Sequence, residues 1–96
     1  MLESTKYFIL LALADGPQYG AAVQGQIMED AWAYVHDGTL YPALKSLVRA
    51  GFIEEVQRID RQRRSYRLTA LGRHRLKAEA QRYQRSVEAA RRRLSF

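Results

Sequence analysis

The hydrophobic periodicity changes at Gly51, and this change limits the folds open to the chain more than any other feature. Before Gly51, four apolar residues recur at the spacing of one helix face: Leu40, Leu44, Leu47 and Val48. After it, residues 52–56 and 65–69 have the short length of strands, and the second of these segments alternates apolar with polar side chains. The pattern predicts helices followed by a hairpin rather than a purely helical bundle.

Turn signals place two further helices before this one. The first is capped by Ser4 or Thr5, runs to about Ala14 and stops at an Asp-Gly-Pro breaker. The second covers Gly20 to Ala31. Residues 32–35 are interpreted as the exit from this helix, with a very short strand as the other option.

The third and the last helix have the clearest start signals. Asp37 or Thr39 caps the third helix, and Pro42 falls in or near its first turn, where a missing N–H costs least. Thr69 caps a last helix that runs nearly to Phe96.

These elements occur in the order helix, helix, helix, strand, strand, helix. The order predicts a mainly α fold with a two-stranded β-wing, that is, a winged helix-turn-helix over residues 1–69. A long C-terminal helix over residues 70–96 follows it. In helix-turn-helix proteins the second helix of the pair enters the DNA major groove, and the third helix has that position here.

Charge is unevenly distributed along the 96 residues, whose net charge is +6. Residues 1–57 hold three Lys or Arg against seven Asp or Glu, whereas residues 58–96 hold thirteen against three. A basic face binds polyanions because each neutralised phosphate releases a counterion. The alternative is that these side chains only solvate a surface helix.

Length, cysteine content and hydropathy exclude several classes. The chain has no cysteine, so it has no disulfide framework, and this suits a reducing cytoplasm. Its longest apolar run, residues 7–14, is far shorter than the roughly 20 residues of a membrane span. No signal-peptide pattern is present. We expect one soluble intracellular domain with no membrane partner.

The third helix carries a polar row beside its apolar stripe. Tyr41, Lys45 and Arg49 are four residues apart and share one face, and Thr39 and Ser46 flank them. An aromatic ring, an amine and a guanidinium in a row can contact phosphates and a guanine edge. We expect these five residues to contact double-stranded DNA. The alternative is that Lys45 and Arg49 are solvated surface charges.

The predicted hairpin tip is rich in arginine. Four arginines lie within seven residues, namely Arg58, Arg61, Arg63 and Arg64. Arg67 follows on the next strand. We expect Arg61, Arg63 and Arg64 to lie against the DNA backbone or in the minor groove, where negative potential favours Arg. The alternative is a solvated charged loop.

The last helix carries an apolar stripe spaced 4, 3, 4, 3, 4, as in a heptad a/d seam. Its members are Leu76, Ala80, Tyr83, Val87, Ala90 and Leu94. The stripe predicts a homodimer contact, which makes residues 70–96 a dimerisation helix; packing on its own domain is the alternative. Because the stripe is under three heptads long, dimerisation needs help, and the apolar first helix can supply it. Arg91, Arg92 and Arg93 are interpreted as a solvated helix end.

Few other residues suggest chemistry. Trp32 and Tyr34 could line a pocket for a small aromatic effector, although core or edge packing explains them more simply. His36 and His74 lack the spacing of a metal pair, so we expect no metal or other cofactor. The sequence has no phosphate loop, no nucleophilic serine in a tight glycine turn and no separated carboxylate pair, and we therefore expect no enzyme.

Five sequence blocks together resemble the PadR family of bacterial transcriptional regulators, and the resemblance covers most of residues 5–75. The Gly-Thr-Leu-Tyr-Pro-Ala-Leu block is the most specific of them. The blocks are residues 9–13 (ILLAL), 16–20 (GPQYG), 38–44 (GTLYPAL), 47–53 (LVRAGFI) and 66–69 (YRLT), with Gly72 after the last.

The resemblance implies a winged-helix repressor that dimerises through its C-terminal helix and binds a pseudo-palindromic operator in the bacterial cytoplasm, at the nucleoid. It implies that Tyr41, Lys45 and Arg49 enter the major groove. Family members commonly release DNA on binding a small, often aromatic molecule. Here the short C-terminal helix matches the smaller subfamily, which leaves the dimer interface near Tyr83 and the Trp32/Tyr34 pair as candidate effector contacts.

Two functions therefore follow from the sequence. The first is a dimeric, sequence-specific DNA-binding repressor that occludes a promoter. The alternative is a winged-helix protein–protein interaction module whose basic face is incidental. Salt dependence separates the two, because binding through several phosphates weakens steeply as salt rises.

Overall fold

The computed structural model describes residues 1–56 and 63–96, and within them it contains four helices and three strands. In chain order they are α1 (Ser4–Ala12), β1 (Gln18–Tyr19), α2 (Gly20–Ala31), α3 (Asp37–Arg49), β2 (Ile53–Val56), β3 (Ser65–Leu68) and α4 (Ala70–Leu94). The predicted winged-helix architecture is confirmed, and α2 has the predicted bounds.

The core lies where α1, α2 and α3 meet and extends to β2 and the start of α4. The apolar stripe of α3 supplies three side chains that are almost completely buried, Leu40, Leu44 and Leu47. Ile9 and Leu10 of α1 lie against the same core. The fixed arrangement of these side chains determines which face of α3 is left for other partners.

The sheet has three antiparallel strands in the order β1-β3-β2, whereas the sequence predicted two. The third strand is β1, whose Gln18 and Tyr19 lie opposite Tyr66 and Ser65 of β3. A two-residue strand is too short to show an alternating pattern, so its pairing depends on the distant β3. The strand considered within residues 32–35 is wrong, because that segment is a loop.

Two predicted helix starts also need correction. The N-cap of α1 is Glu3 and not Ser4 or Thr5. The Glu3 side chain accepts the Thr5 amide N–H. The N-cap of α3 is His36, whose side chain makes no capping hydrogen bond, and not Asp37 or Thr39. Asp37 is instead the first helical residue, where a carboxylate is favoured by the helix dipole.

The start of α4 is attached to the turn between α3 and β2. Thr69 caps α4 as predicted, because its hydroxyl accepts the Gly72 N–H at 3.0 Å. The same hydroxyl donates to the Gly51 carbonyl, and the Thr69 amide donates to the Phe52 carbonyl at 3.1 Å. A Cβ on Gly72 would lie 1.8 Å from that Phe52 oxygen, so only glycine fits. These contacts fix the direction in which α4 leaves the domain.

The 25 residues of α4 make a rod about 37 Å long, which accounts for the elongated 51 × 26 × 21 Å shape. Its first half packs on α1 and β3. None of the helices in the described part of the chain has the length and apolar character needed to cross a membrane.

Candidate nucleic-acid interface

The face of α3 opposite the core carries the predicted polar row. Thr39, Tyr41, Lys45 and Arg49 are all exposed, while the leucines on the other side are buried. The fold therefore presents a tyrosine, a lysine and an arginine in one line along the helix. A line of this kind can contact phosphates and base edges.

A cleft lies on each side of this face of α3. Tyr41 and Lys45 line a cleft of about 540 Å³ on the side of the wing, together with Glu55, Arg64 and Tyr66. Thr39 and Ser46 line a cleft of about 380 Å³ on the side of α1. The five predicted α3 residues therefore do not form one cluster, since Ser46 lies away from the wing.

Ser46 has a partner that sequence analysis missed. Lys6 of α1 donates from its Nζ to the Ser46 hydroxyl at 3.0 Å. This contact places a further ammonium group beside α3, on the flank of the helix that faces α1. The only signal for this contact in the sequence is that Lys6 is one of just three Lys or Arg side chains in residues 1–57.

A third cleft joins the wing to the start of α2. It has a volume of about 510 Å³ and is lined by Tyr41 of α3, by Arg63 and Arg64, and by Tyr19 with the first three residues of α2. The Arg63 guanidinium lies 5.4 Å from the centre of the Tyr19 ring, at cation–π distance. The ring holds Arg63 at the mouth of the cleft.

Close packing places Tyr41 against the start of α2. A Cβ on Gly20 would lie 3.0 Å from the Tyr41 hydroxyl oxygen and 3.3 Å from a ring carbon. The N-cap of α2 is Tyr19, whose side chain makes no capping hydrogen bond. The cleft therefore combines two guanidinium groups, a phenol hydroxyl and a helix N-terminus, all of which favour anions.

The wing arginines differ in their partners. The Arg64 Nε lies 3.8 Å from a Glu55 oxygen, and both side chains are exposed. Arg67 is paired across the strands with Glu54 at 2.6 Å, which directs its charge away from the α3 side chains. Arg61 and Arg58 lie outside the described residues.

Tyr66 forms the floor of the cleft on the side of the wing. Burial raises the pKa of its hydroxyl above the ordinary value of 10.0, and the charge of Glu55 acts in the same direction. A hydrogen bond from Arg64 partly opposes this pKa shift. Tyr66 therefore stays neutral at physiological pH and helps to position Arg64.

The predicted dimerisation stripe on α4 divides into two parts. Leu76 is buried in the chain's own core, at 8% exposure, and Ala80 packs against the same core. Tyr83, Val87 and Leu94 are exposed, and Ala90 is half-buried on the part of α4 that extends beyond the domain. The exposed part of the stripe therefore begins at Tyr83.

The junction between α1 and α4 contains a residue that the sequence did not single out. Glu79 is only 4% exposed, and its carboxylate accepts the Leu2 amide N–H at 3.3 Å. Arg75 donates to it at 3.3 Å, and Arg82 lies 3.8 Å away. Above this group, the rings of Tyr7 and Tyr83 are 4.5 Å apart. The carboxylate and the ring pair together hold α4 against α1.

The three candidate effector residues have separate surroundings. Tyr83 packs against Tyr7, and Tyr34 meets His36 edge-on at 4.9 Å. Trp32 is 91% exposed. None of these three residues lines any of the three clefts described above.

Within the described residues, no group of three or more metal-ligating side chains is placed to hold a metal ion.

Comparison with known proteins determines the family. The sequence profile of the Transcriptional regulator PadR-like family matches residues 9–78, well over half of the chain. The chain belongs to this family. The PadR-like family consists of transcriptional regulators and not of enzymes. A search of curated protein sequences found no match.

Solved structures agree with this assignment. A PadR family transcription regulator from hypervirulent Clostridium difficile R20291 superposes with a TM-score of 0.84 at 22% identity, over 96% of this chain and 99% of that one. RosR from H. salinarum gives a TM-score of 0.75 at 23% identity, over 99% and 96%. At these identities the two structures establish the shared fold.

A further relative was solved with its ligand. Bacillus subtilis PadR, in complex with operator DNA, superposes with a TM-score of 0.72 at 26% identity. The match covers 81% of this chain and 47% of that one, so this chain corresponds to about half of that protein. This PadR-like chain thus shares its fold with a regulator that binds operator DNA.

Proposed function

We propose that this chain is a dimeric repressor that binds a pseudo-palindromic DNA operator in the bacterial cytoplasm and occludes a promoter there. The observation that carries the proposal is the continuous surface formed by the exposed row of α3 and by Arg63 and Arg64 of the wing. In this arrangement α3 enters the major groove, with Tyr41, Lys45 and Arg49 towards the bases and phosphates.

The cleft between the wing and α2 fits one backbone phosphate. Arg63 and Arg64 supply charge, the Tyr41 hydroxyl supplies a donor, and the first turn of α2 supplies N–H groups that the Tyr19 side chain does not cap. A phosphate in this cleft fixes the register of the protein on the duplex, because backbone contacts position and base contacts specify. Arg61 is the further wing residue proposed to contact the backbone or the minor groove.

The dimer is proposed to form through α4, with Tyr83, Val87, Ala90 and Leu94 as its main contacts. These apolar side chains lie on a helix whose first half already packs on α1. Leu76 and Ala80 contribute mainly by anchoring the helix to its own domain. Two-fold symmetry then places the two α3 helices about one turn of DNA apart, as a pseudo-palindromic operator requires.

Release by a small aromatic effector stays a prediction. An exposed indole and phenol, those of Trp32 and Tyr34, can stack on a planar compound. Trp32 is the sole tryptophan, so its fluorescence reports such binding directly. No change in emission across a panel of planar aromatic compounds would count against an effector site at this position.

The test of DNA binding uses the duplex upstream of the protein's own coding sequence and a scrambled duplex, in a salt titration. Lys45→Ala and Arg49→Ala should each weaken operator binding by about tenfold and leave the thermal midpoint unchanged. Lys77→Ala, at an exposed position of α4, is the matched control and should change neither.

Two results would contradict the proposal. If Arg49→Ala lowers the thermal midpoint as much as it weakens binding, the residue is structural. If neither duplex binds at low salt while the protein still associates with other proteins, the alternative of an interaction module with an incidental basic face is favoured.

A further inference from the structure

The loop between α2 and α3 carries the most exposed large aromatic side chain of the described residues. Trp32 is 91% exposed, and Met28 and Tyr34 beside it are also exposed. Trp32 adopts a left-handed backbone conformation with φ of 51°, held by the bond from its amide to the Met28 carbonyl. An indole left in water, on a backbone that disfavours its side chain, is typical of an interaction surface.

The charge around this aromatic group is negative and therefore disfavours DNA as its partner. Glu29 and Asp30 are exposed in the last turn of α2, directly before Trp32. Residues 7–44 contain four Asp or Glu and no Lys or Arg. The surface formed by Met28, Glu29, Asp30, Trp32 and Tyr34, here called the acidic aromatic patch, therefore suits a segment rich in cations and apolar side chains.

The chain itself contains such a segment at its C-terminal end. Residues 91–96, here called the arginine tail, comprise three consecutive arginines followed by Leu94, Ser95 and Phe96, and all of them are exposed. The Arg91 guanidinium lies 5.6 Å from the centre of the Phe96 ring. The Trp32 side chain is 91% exposed, so the tail of the same chain does not occupy the patch.

We propose that the acidic aromatic patch is the docking site for the arginine tail of a second copy of this chain. The inference rests on the homodimer proposed above. Glu29 and Asp30 pair with the arginines, and the Trp32 ring takes a guanidinium on its face or packs against the apolar end of the tail. A two-fold axis makes the contact twice, because each copy supplies one patch and one tail.

This contact explains how a short helical seam can support a dimer. The stripe beyond the domain, from Tyr83 to Leu94, is less than two heptads long. The two tail contacts of the proposed dimer add charge pairing and apolar burial to those of the seam. They also give the tail arginines a role other than DNA binding.

The experiment measures the emission and acrylamide quenching of Trp32, the sole tryptophan, over a dilution series of the full chain. Light scattering gives the mass at each concentration. Where the mass is that of two chains, we expect blue-shifted emission and reduced quenching. Combined reversal by Arg91→Glu, Arg92→Glu and Arg93→Glu should expose Trp32 again and raise the dimer dissociation constant by roughly tenfold or more.

Compensating and control variants make the assignment specific. Glu29→Arg with Asp30→Arg, added to the reversed tail, should restore both the shielding of Trp32 and the dimer. Lys77→Glu, on α4 outside the tail, should leave both unchanged.

A stable dimer in which Trp32 stays fully accessible to acrylamide would overturn the docking and leave the proposed function standing. A shielded Trp32 that is insensitive to reversal of the tail would overturn the tail as its occupant. A monomer at every concentration would overturn both this contact and the proposed homodimer.

Discussion

The winged-helix part and the C-terminal half of α4 differ in whether their apolar stripes are buried. In the first, Leu44 on a helical stripe is 1% exposed, because α1, α2 and the sheet surround it. In the second, Leu94 on a stripe of similar spacing is 71% exposed. The first region folds around its own core, whereas in the second Val87 and Leu94 remain exposed and are not part of that core as the described residues form it.

This difference separates two kinds of information in the sequence. Periodicity determines which face of a helix is apolar, and both stripes were evident from their spacing. It does not determine which molecule covers that face. Leu76 shows the boundary, because it belongs to the α4 stripe and is nevertheless buried in the chain's own core.

The largest effect should come from a matched pair of truncations, one in each region. Leu44→Ala should lower the free energy of unfolding by about 2–5 kcal/mol, since it removes buried volume and leaves a cavity. Leu94→Ala should change the unfolding of the monomer by less than about 0.5 kcal/mol. Urea unfolding at a low protein concentration measures both. Equal losses would show that α4 is part of the same cooperative core.

A charge placed on the α4 stripe should break the dimer and spare the fold. Val87→Asp is expected to raise the dimer dissociation constant by about a hundredfold or more, because the interface would bury an unpaired carboxylate. Gln81→Asp adds the same charge on the exposed side of the helix and should have little effect. Sedimentation over a dilution series measures this constant. A dimer unaffected by Val87→Asp would place the interface elsewhere.

Two glycines of α2 provide a test within the self-contained region. Gly20→Ala should displace the Tyr41 ring and weaken operator binding by about tenfold, as expected for one lost protein–DNA contact. Gly25→Ala has open space around it and should stabilise the helix by about 0.5–1 kcal/mol without changing binding. Anisotropy titrations and thermal melts compare them. Unchanged DNA binding by Gly20→Ala would remove Tyr41 from the interface.

The smallest effect concerns Tyr7, which contacts both regions. Burial raises the pKa of the Tyr7 hydroxyl above 10.0, and the charges of Tyr83 and Glu79 act in the same direction. Because the pKa is higher in the folded state, folding is favoured by the neutral Tyr7 hydroxyl. This contribution to the free energy of unfolding is complete below pH 10 and is lost as the pH rises through the folded-state pKa. Tyr7→Phe should therefore flatten the decline of stability above pH 10. A decline as steep as in the unmodified protein would assign it to other groups, Tyr66 among them.

Much of the fold could be predicted because its signals are local. The bounds of α2, the Thr69 cap and the two strands of the wing all follow from spacing and turn chemistry. The strand β1 could not be predicted, since two residues carry no periodicity and their pairing depends on β3.

The candidate site was predicted less completely than the fold. The exposed row of α3 follows from the position of its core stripe, and the structure confirms its exposure. The contact between Lys6 and Ser46 joins residues 40 positions apart, and Glu79 accepts the backbone amide N–H of Leu2, 77 positions away. Neither leaves a pattern in the sequence, because each arises only when α1 packs on its neighbours.

Dimerisation and operator binding are tested together by the solution mass of the protein, measured by light scattering after size exclusion with and without the duplex upstream of its coding sequence. A dimeric repressor should have the mass of two chains, and its mass should increase further with that duplex but not with a scrambled one. A single chain that binds neither duplex at low salt would contradict it.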